Sequence, residues 1–254
     1  MVKKKIGQNF LIDKQVAERE VDYANPNKED IFLEIGPGKG IITKLLAKKA
    51  KKVIAIEIDS RLVNNLESTL PDNVILINAD ALKIDFKSLP AFNKIVSNLP
   101  FQISSPITFK FLNHPFSKAV LIYQKDFAKR MVAYSGSKDY SRLSVGIYYK
   151  THCRILETIS KNFFFPVPKV DSSIVELTPR ENPPFTIVNE KFFFNLTKRL
   201  FGHRRKKIKN ILEDVYNKLE YLPYLDKRVE ELRPEQLGEL SNLLFKINHQ
   251  PKSM

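Results

Sequence analysis

This 254-residue sequence predicts an α/β fold: a parallel sheet with helical crossovers, followed by a smaller, mainly α-helical C-terminal domain. Two observations carry that reading. Through the first 180 residues, apolar runs of four or five residues alternate with helix-length amphipathic segments. Such runs are the mark of βαβ units whose strands are buried on both faces. At Thr178-Pro179-Arg180-Glu181-Asn182-Pro183-Pro184, three prolines in seven residues break the pattern, and only helical periodicity follows. The stiff linker places a domain boundary that divides 1–180 from 181–254.

The strands are read in order. Ile31–Ile35, Val53–Glu57, Val74–Ile77, Lys94–Ser97 and Ala119–Tyr123 are too short and too β-branched to be buried helix. Asp171–Leu177 alternates like a later, half-exposed strand. Helices are expected near 39–50, 60–69, 105–113 and 125–134. In the second domain they are expected from Asn189, from Arg204 and from Pro234. There Leu237, Leu240 and Leu244 fall on one face behind a first-turn proline.

Composition narrows the function classes. At 43% apolar residues, the chain can bury a core without staples. One cysteine, Cys153, allows neither an internal disulfide nor a Cys-rich zinc site, and no metal site is expected. The start, Met1-Val2-Lys3-Lys4-Lys5-Ile6-Gly7, has no apolar segment of signal-peptide type behind its lysines. No stretch is long and apolar enough for a membrane span, so a cytoplasmic protein is expected. The informative quantity is charge: 42 Lys+Arg against 28 Asp+Glu, a net of +14. Such an excess costs self-repulsion and suits a polyanionic partner; composition alone leaves nucleic acid, an anionic membrane or simple solubility open. Its placement is uneven. Residues 191–211 hold eight cations and no acid, including Lys198, Arg199, Arg204, Arg205, Lys206, Lys207 and Lys209. A solvated helix face ordinarily mixes signs, so phosphate contact is the stronger reading of this run.

Glu34-Ile35-Gly36-Pro37-Gly38-Lys39-Gly40 follows the first strand and opens a helix. Glycines there permit a tight turn and let a ligand lie against backbone. A dinucleotide fingerprint would need its third glycine one residue later, and an acid before the first glycine opposes a pyrophosphate. A purely structural glycine turn stays open on this motif alone. Two more acids alter the balance. Glu57 ends the second strand, where a carboxylate can accept both ribose hydroxyls, and Asp80 follows the third, where it can accept from an adenine amino group. Each could singly be a helix cap, and Asp59-Ser60 includes one. All three sit at the carboxyl edge of the sheet, where doubly wound folds bind ligands. The pattern E-x-G-x-G-x-G with these acids looks like the S-adenosylmethionine site of class I methyltransferases, a Rossmann-like sheet.

Asn98-Leu99-Pro100-Phe101 ends the fourth strand. An adenine N6 lone pair is delocalised into the ring, so a methyltransferase must position and rehybridise it more than it needs a strong base. The Asn98 amide oxygen and the Leu99 backbone carbonyl can each accept an N6 hydrogen and turn the lone pair outward. Pro100 stiffens the turn, and Phe101 offers a stacking face to an extruded base. An ordinary proline turn is the competing reading of the four residues taken alone.

These motifs closely resemble the KsgA family of ribosomal RNA adenine dimethyltransferases. The likeness runs from Gly7-Gln8-Asn9-Phe10-Leu11 through the glycine turn, Glu57, Asp80 and Asn98–Pro106. It continues through Tyr140–Val145, Phe164–Ser172 and the basic segment Phe201–Asn210, and thins after about 212. It implies a cofactor site of Gln8, Asn9, Leu11, Glu34, Gly36, Gly38, Glu57, Asp80 and Asn98. The resemblance also implies a target-adenine clamp of Asn98, Leu99, Pro100 and Phe101. Phe164 aligns with the second stacking ring, though three successive phenylalanines, 163–165, blur the choice by one residue. The family usually has tyrosine where Phe101 stands; the ring is kept and a hydroxyl lost. Phe201–Asn210 resembles a basic helix of the RNA-binding domain. The implied activity is dimethylation of N6 on two adjacent adenines near the 3′ end of small-subunit rRNA, by a monomer acting on immature small ribosomal subunits. Three alternatives stand beside it. They are a large-subunit rRNA methyltransferase of the macrolide-resistance type, a protein glutamine methyltransferase, and a nucleic-acid-binding assembly factor without catalysis.

Overall fold

The computed structural model describes residues 9–216 and 219–249. In chain order the elements are β1 (Phe10–Leu11), α1 (Lys14–Tyr23), β2 (Ile31–Ile35), α2 (Ile41–Lys49), β3 (Lys52–Glu57), α3 (Ser60–Glu67), β4 (Val74–Asn78), β5 (Lys94–Asn98) and α4 (Ser104–Leu112). They continue with β6 (Lys118–Gln124), α5 (Lys125–Met131), α6 (Arg142–Lys150), β7 (Thr151–Ile159), β8 (Phe164–Phe165), β9 (Ser172–Pro179), α7 (Glu190–Gly202), α8 (Ile208–Leu212) and α9 (Pro234–His249).

The five strands read from apolar runs form the parallel part of one seven-stranded sheet of order β4-β3-β2-β5-β6-β9-β7. β9 and β7 complete it antiparallel. β9 is buried along its first six residues, not half-exposed as its alternation suggested, because it lies between β6 and β7. β7, the edge strand, escapes sequence reading because its exposed His152, Arg154 and Thr158 hide the β period. α1 and α6 were likewise not legible. α1 opens on an Asp13 cap that accepts the Val16 amide, and packs Val16, Ala17 and Val21 into the core under β2 and β5 with α2.

Chain order reverses between β2 and β5, the place where open α/β sheets bind ligands. There the ladder is brief: only Phe32↔Lys94 and Leu33↔Ile95 pair, after which the strands part. Ser97 spans the gap with its side chain, donating to the Ile35 carbonyl at 2.6 Å and accepting the Ile35 amide at 3.3 Å. A hydroxyl thus replaces lost ladder bonds and fixes the crevice that opens beyond it.

The chain divides into two compact units, and the division differs from the linear boundary at 180. One unit holds residues 1–128 and 151–179; the other holds 129–150 as well as 180–254. The reason is packing. α6 places Val145 and Tyr149, and the preceding Tyr140, into the helical core with Phe193, Leu196 and Leu200 of α7 and Leu237, Leu240 and Leu244 of α9. Tyr140 also donates its buried hydroxyl to the Leu232 carbonyl at 2.9 Å. The basic stretch Arg204–Lys207 is a turn between α7 and α8, not the helix the sequence suggested; α8 begins only at Ile208. Among the described residues no helix is long and apolar enough to cross a membrane.

Candidate active site

The site is built where β2 and β5 part. The turn after β2 runs through Gly36, Gly38 and Gly40, all at positive φ, conformations that cost a side-chain-bearing residue about 1 kcal/mol or more. Space is equally short at Gly38: an added Cβ would meet the Phe10 ring at 2.8 Å. The glycine therefore lets β1 lie across the turn. A Cβ on Gly36 would meet Pro100 at 3.3 Å, so the turns after β2 and β5 back onto each other.

A cavity is lined by Asn9, Leu11, Glu34, Gly36 and the whole of Asn98–Phe101, together with Phe10, Pro37, Lys39, Ile41 and Ile42. It brings together most of the cofactor and clamp residues expected from sequence. Gln8 lies outside the described residues. Glu57 sits behind the turn: its Oε2 accepts the Gly38 amide at 3.3 Å and its Oε1 the Asp59 amide at 3.0 Å. Both oxygens are thereby oriented and keep lone pairs for hydroxyl donors. Asp80, at the end of the next strand, is outside the cavity lining. Its Oδ1 caps its own turn through the Leu82 amide at 2.9 Å.

Asn98 is held by a feature the sequence did not disclose. Its Nδ2 donates to the Asn9 carbonyl at 3.2 Å, while the Asn9 side chain donates to the Pro166 carbonyl at 2.7 Å. With the amide nitrogen so committed, the acceptor side of the group, Oδ1, is set for an incoming N–H. Leu99 is buried, so its backbone is rigidly placed, and Phe101 is half-buried at the cavity.

Phe164 requires a correction. It is fully buried among Leu11, Phe32, Val96 and Ile122, so its ring presents no face to a base. β8 pairs with β1, Phe10↔Phe165 and Leu11↔Phe164, and strand alternation turns the neighbours outward. Phe163 is 37% and Phe165 60% exposed. Phe164 is thus a core residue, and the exposed rings of the three are those of Phe163 and Phe165.

The electrostatics contain a second unforeseen residue. Glu34 is buried, its Oε2 has no hydrogen-bond partner among the described residues, and burial with the nearby Glu57 pushes its pKa up to about 8 against the opposing Thr43 side chain. On the same layer Glu20 of α1 is wholly buried with both oxygens unpartnered. Burial and the nearby Glu34 hold it protonated well above the usual carboxylate range, against a small opposing effect of the Ser97 backbone. Burial also raises Glu57, against its backbone donors. Glu20 lies on the face of α1 that buries Val16, Ala17 and Val21, and nothing local in the sequence marks it as buried. A raised carboxylate stabilises the folded state only while it is protonated. Stability should therefore fall as pH rises through the window from about 5 to about 8. Denaturant unfolding of the cofactor-free protein should show this slope, and Glu34→Gln should flatten it; an equal slope in the variant would assign the effect elsewhere.

The seven cations expected to meet RNA do not behave alike. The Arg204 guanidinium is consumed internally, by Glu230 and by the carbonyls of Lys138 and Ser137 at 2.8 and 3.0 Å. Lys207 pairs with Asp226 at 3.0 Å, Lys209 with Glu213 at 3.6 Å, and Arg199 bonds the Ile211 carbonyl at 3.4 Å. Lys198, Arg205 and Lys206 have no such internal partner among the described residues.

The orphaned Glu34 oxygen, the glycine cradle and the paired acceptors of Glu57 fit S-adenosylmethionine, and with this sheet order they define a class I methyltransferase that uses that cofactor. Comparison with known proteins agrees. A family model for ribosomal RNA adenine dimethylase matches residues 1–245, and the chain belongs to that family. A protein of Methanococcus aeolicus, described as a probable ribosomal RNA small subunit methyltransferase A, is 45% identical over 98% of both chains. The protein of that description from Pyrococcus furiosus is 44% identical over 94% of this chain and 91% of its own. Among solved structures, a dimethyladenosine transferase from Plasmodium falciparum has a TM-score of 0.76 and 30% identity, over 94% of this chain and 98% of that one. The 23S rRNA methyltransferase ErmE has 0.65 and 28%, over 93% and 100%.

Proposed function

We propose that this protein dimethylates N6 of two adjacent adenines near the 3′ end of small-subunit rRNA, acting as a cytoplasmic monomer on immature small ribosomal subunits. The observation that carries the chemistry is the anchored amide of Asn98, next to the buried Leu99, both in the lining of the cavity. When bound, S-adenosylmethionine supplies a methyl group already electrophilic on its sulfonium. Glu57 would accept from the ribose hydroxyls, Asp80 from the adenine, and Glu34 would face the methionine end.

The protein's own task is orientation. Oδ1 of Asn98 and the carbonyl of Leu99 accept the two N6 hydrogens, pyramidalise the nitrogen and aim its lone pair. Phe101 and the exposed Phe165 supply the apolar faces that hold a base removed from its stack. Small-subunit specificity rests on the relatives at 44 and 45% identity over nearly full length, against 28% for the large-subunit enzyme ErmE. An intact Asn98 and glycine turn disfavour a purely binding protein.

Incubation of unmethylated small subunits with labelled S-adenosylmethionine should incorporate two methyl groups on each of two neighbouring adenines. Transfer to large-subunit RNA instead would overturn the assignment. The cations separate in a second measurement. Replacing Arg205 and Lys206 by Ala should reduce the slope of log affinity against log salt by about 1.4 to 1.8. Arg204→Ala should lower unfolding stability by about 1–3 kcal/mol, because Glu230 and two carbonyls lose their donor. An unchanged salt slope in the double variant would remove these residues from the RNA contact.

A further inference from the structure

Beside the short β8 strand, three lysines from three separate stretches of the catalytic unit rim one concavity. Lys125 opens α5, Lys161 opens the helical turn before β8, and Lys169 lies in the loop after it, with Asp126, Val170 and Asp171 completing the wall. Two of their backbones are fixed by one residue. Asp171 accepts the Lys125 amide on its carbonyl at 2.9 Å and the Lys161 amide on its Oδ1 at 3.0 Å. Asp126 has an interaction of its own. The three ammonium groups form no direct ion pair among the described residues, so the hollow, with Asp126 and Asp171 in its wall, keeps a net positive lining of three cations against two acids.

The surface next to this cup is apolar and exposed: Phe163, Phe165, Val167 and Val170 all lie outside the core. Lysines interleaved with exposed aromatic and aliphatic groups suit a single strand of nucleic acid, whose phosphates need cations and whose bases need flat apolar partners. The segment is also tied to the reaction centre, through the Asn9 side chain on the Pro166 carbonyl and the Asn98 amide on the Asn9 carbonyl. A strand whose adenine enters the Asn98 clamp would find on this linked segment both cations for its phosphates and apolar faces for its bases.

We propose that Lys125, Lys161 and Lys169 form a backbone-phosphate site for the single-stranded RNA that flanks the target adenine. The proposal rests on the RNA-methyltransferase reading of the site. It adds a second electrostatic anchor, on the catalytic unit, to the cations of the 198–209 run. Its function is to hold the strand once the base has left its stack, so it contributes affinity without choosing the sequence.

The test is equilibrium binding of an adenine-containing 12-nucleotide single-stranded RNA across a salt series. The proteins are the wild type, the triple variant Lys125→Ala/Lys161→Ala/Lys169→Ala, and the matching triple Lys→Arg variant. The alanine variant should bind about 10- to 100-fold more weakly at low salt, with a slope reduced by about 2, close to 0.7 for each phosphate released. The arginine variant should keep the wild-type slope, and S-adenosylmethionine affinity and unfolding midpoint should be unchanged in both. An unaltered slope in the alanine variant, or an equal loss in the arginine variant, overturns the site. Labelled-methyl transfer by the wild type to unmethylated small subunits, run in parallel, reports separately on the RNA-methyltransferase reading.

Discussion

Asn98→Ala should lower the rate of methyl transfer by about 100- to 1,000-fold while changing S-adenosylmethionine affinity by less than about tenfold. The range is that of removing one preorganised acceptor or donor aimed at the reacting group. The structure explains why the loss should fall on rate. Asn98 is held through its nitrogen by the Asn9 carbonyl, so its oxygen is positioned before substrate arrives and needs no reorganisation during the reaction. In the proposed site, cofactor contacts would be spread over Glu57, the glycine turn and Glu34, so losing one amide should be tolerated there. Asn98→Asp sharpens the test. It keeps an acceptor oxygen but sets a carboxylate against the Asn9 carbonyl, so it should retain more activity than Ala and less than the wild type. Single-turnover kinetics with cofactor binding measured in parallel would resolve the two effects. A rate equal to wild type in Asn98→Ala would sink the N6 clamp.

The second large effect separates two neighbouring rings. Phe164→Ala should destabilise the fold by about 3–5 kcal/mol, because it empties a fully buried site in the core under β2 and β5. Phe165→Ala should cost little stability, since that ring is 60% exposed, yet it should raise the KM for RNA and lower the transfer rate about tenfold or more. Stacking of a base on an aromatic face contributes about 1–3 kcal/mol. Denaturant melts combined with steady-state kinetics distinguish the two readings. If Phe164→Ala melted like the wild type and only transfer failed, the ring would belong to the substrate and the strand register of β8 would be misassigned. Because a collapsed Phe164→Ala variant would be uninformative about catalysis, Phe164→Leu provides the milder case. It should retain most activity at a smaller cost in stability.

The parallel strands were legible because their residues are buried on both faces and declare themselves as unbroken apolar runs; β7 was not, because an edge strand carries its polar face in view. The acids Glu34, Glu57 and Asp80 could be placed in sequence because each ends or follows a strand, and a doubly wound sheet brings strand ends to one edge. Glu20 could not, since a buried carboxyl on a helix looks in sequence like any charge on a solvated face. Arg204 shows the converse limit. Its place in a cationic run suggests phosphate, but tertiary contacts with Glu230, Lys138 and Ser137 engage all three nitrogens of its guanidinium.

By itself, then, the sequence determined the sheet's parallel half, the glycine turn, the Asn98 motif and the cationic excess of +14, all of them features written in local order and composition. Tertiary structure alone decided which phenylalanine is core and which is surface, that Asn9 holds Asn98, and that Lys125, Lys161 and Lys169 share one hollow. The physical reason is range. Periodicity, turn chemistry and strand-end placement act over a few residues. Hydrogen bonds such as Asn98 to Asn9, 89 positions apart, and the convergence of charges from distant segments exist only once the chain has closed on itself.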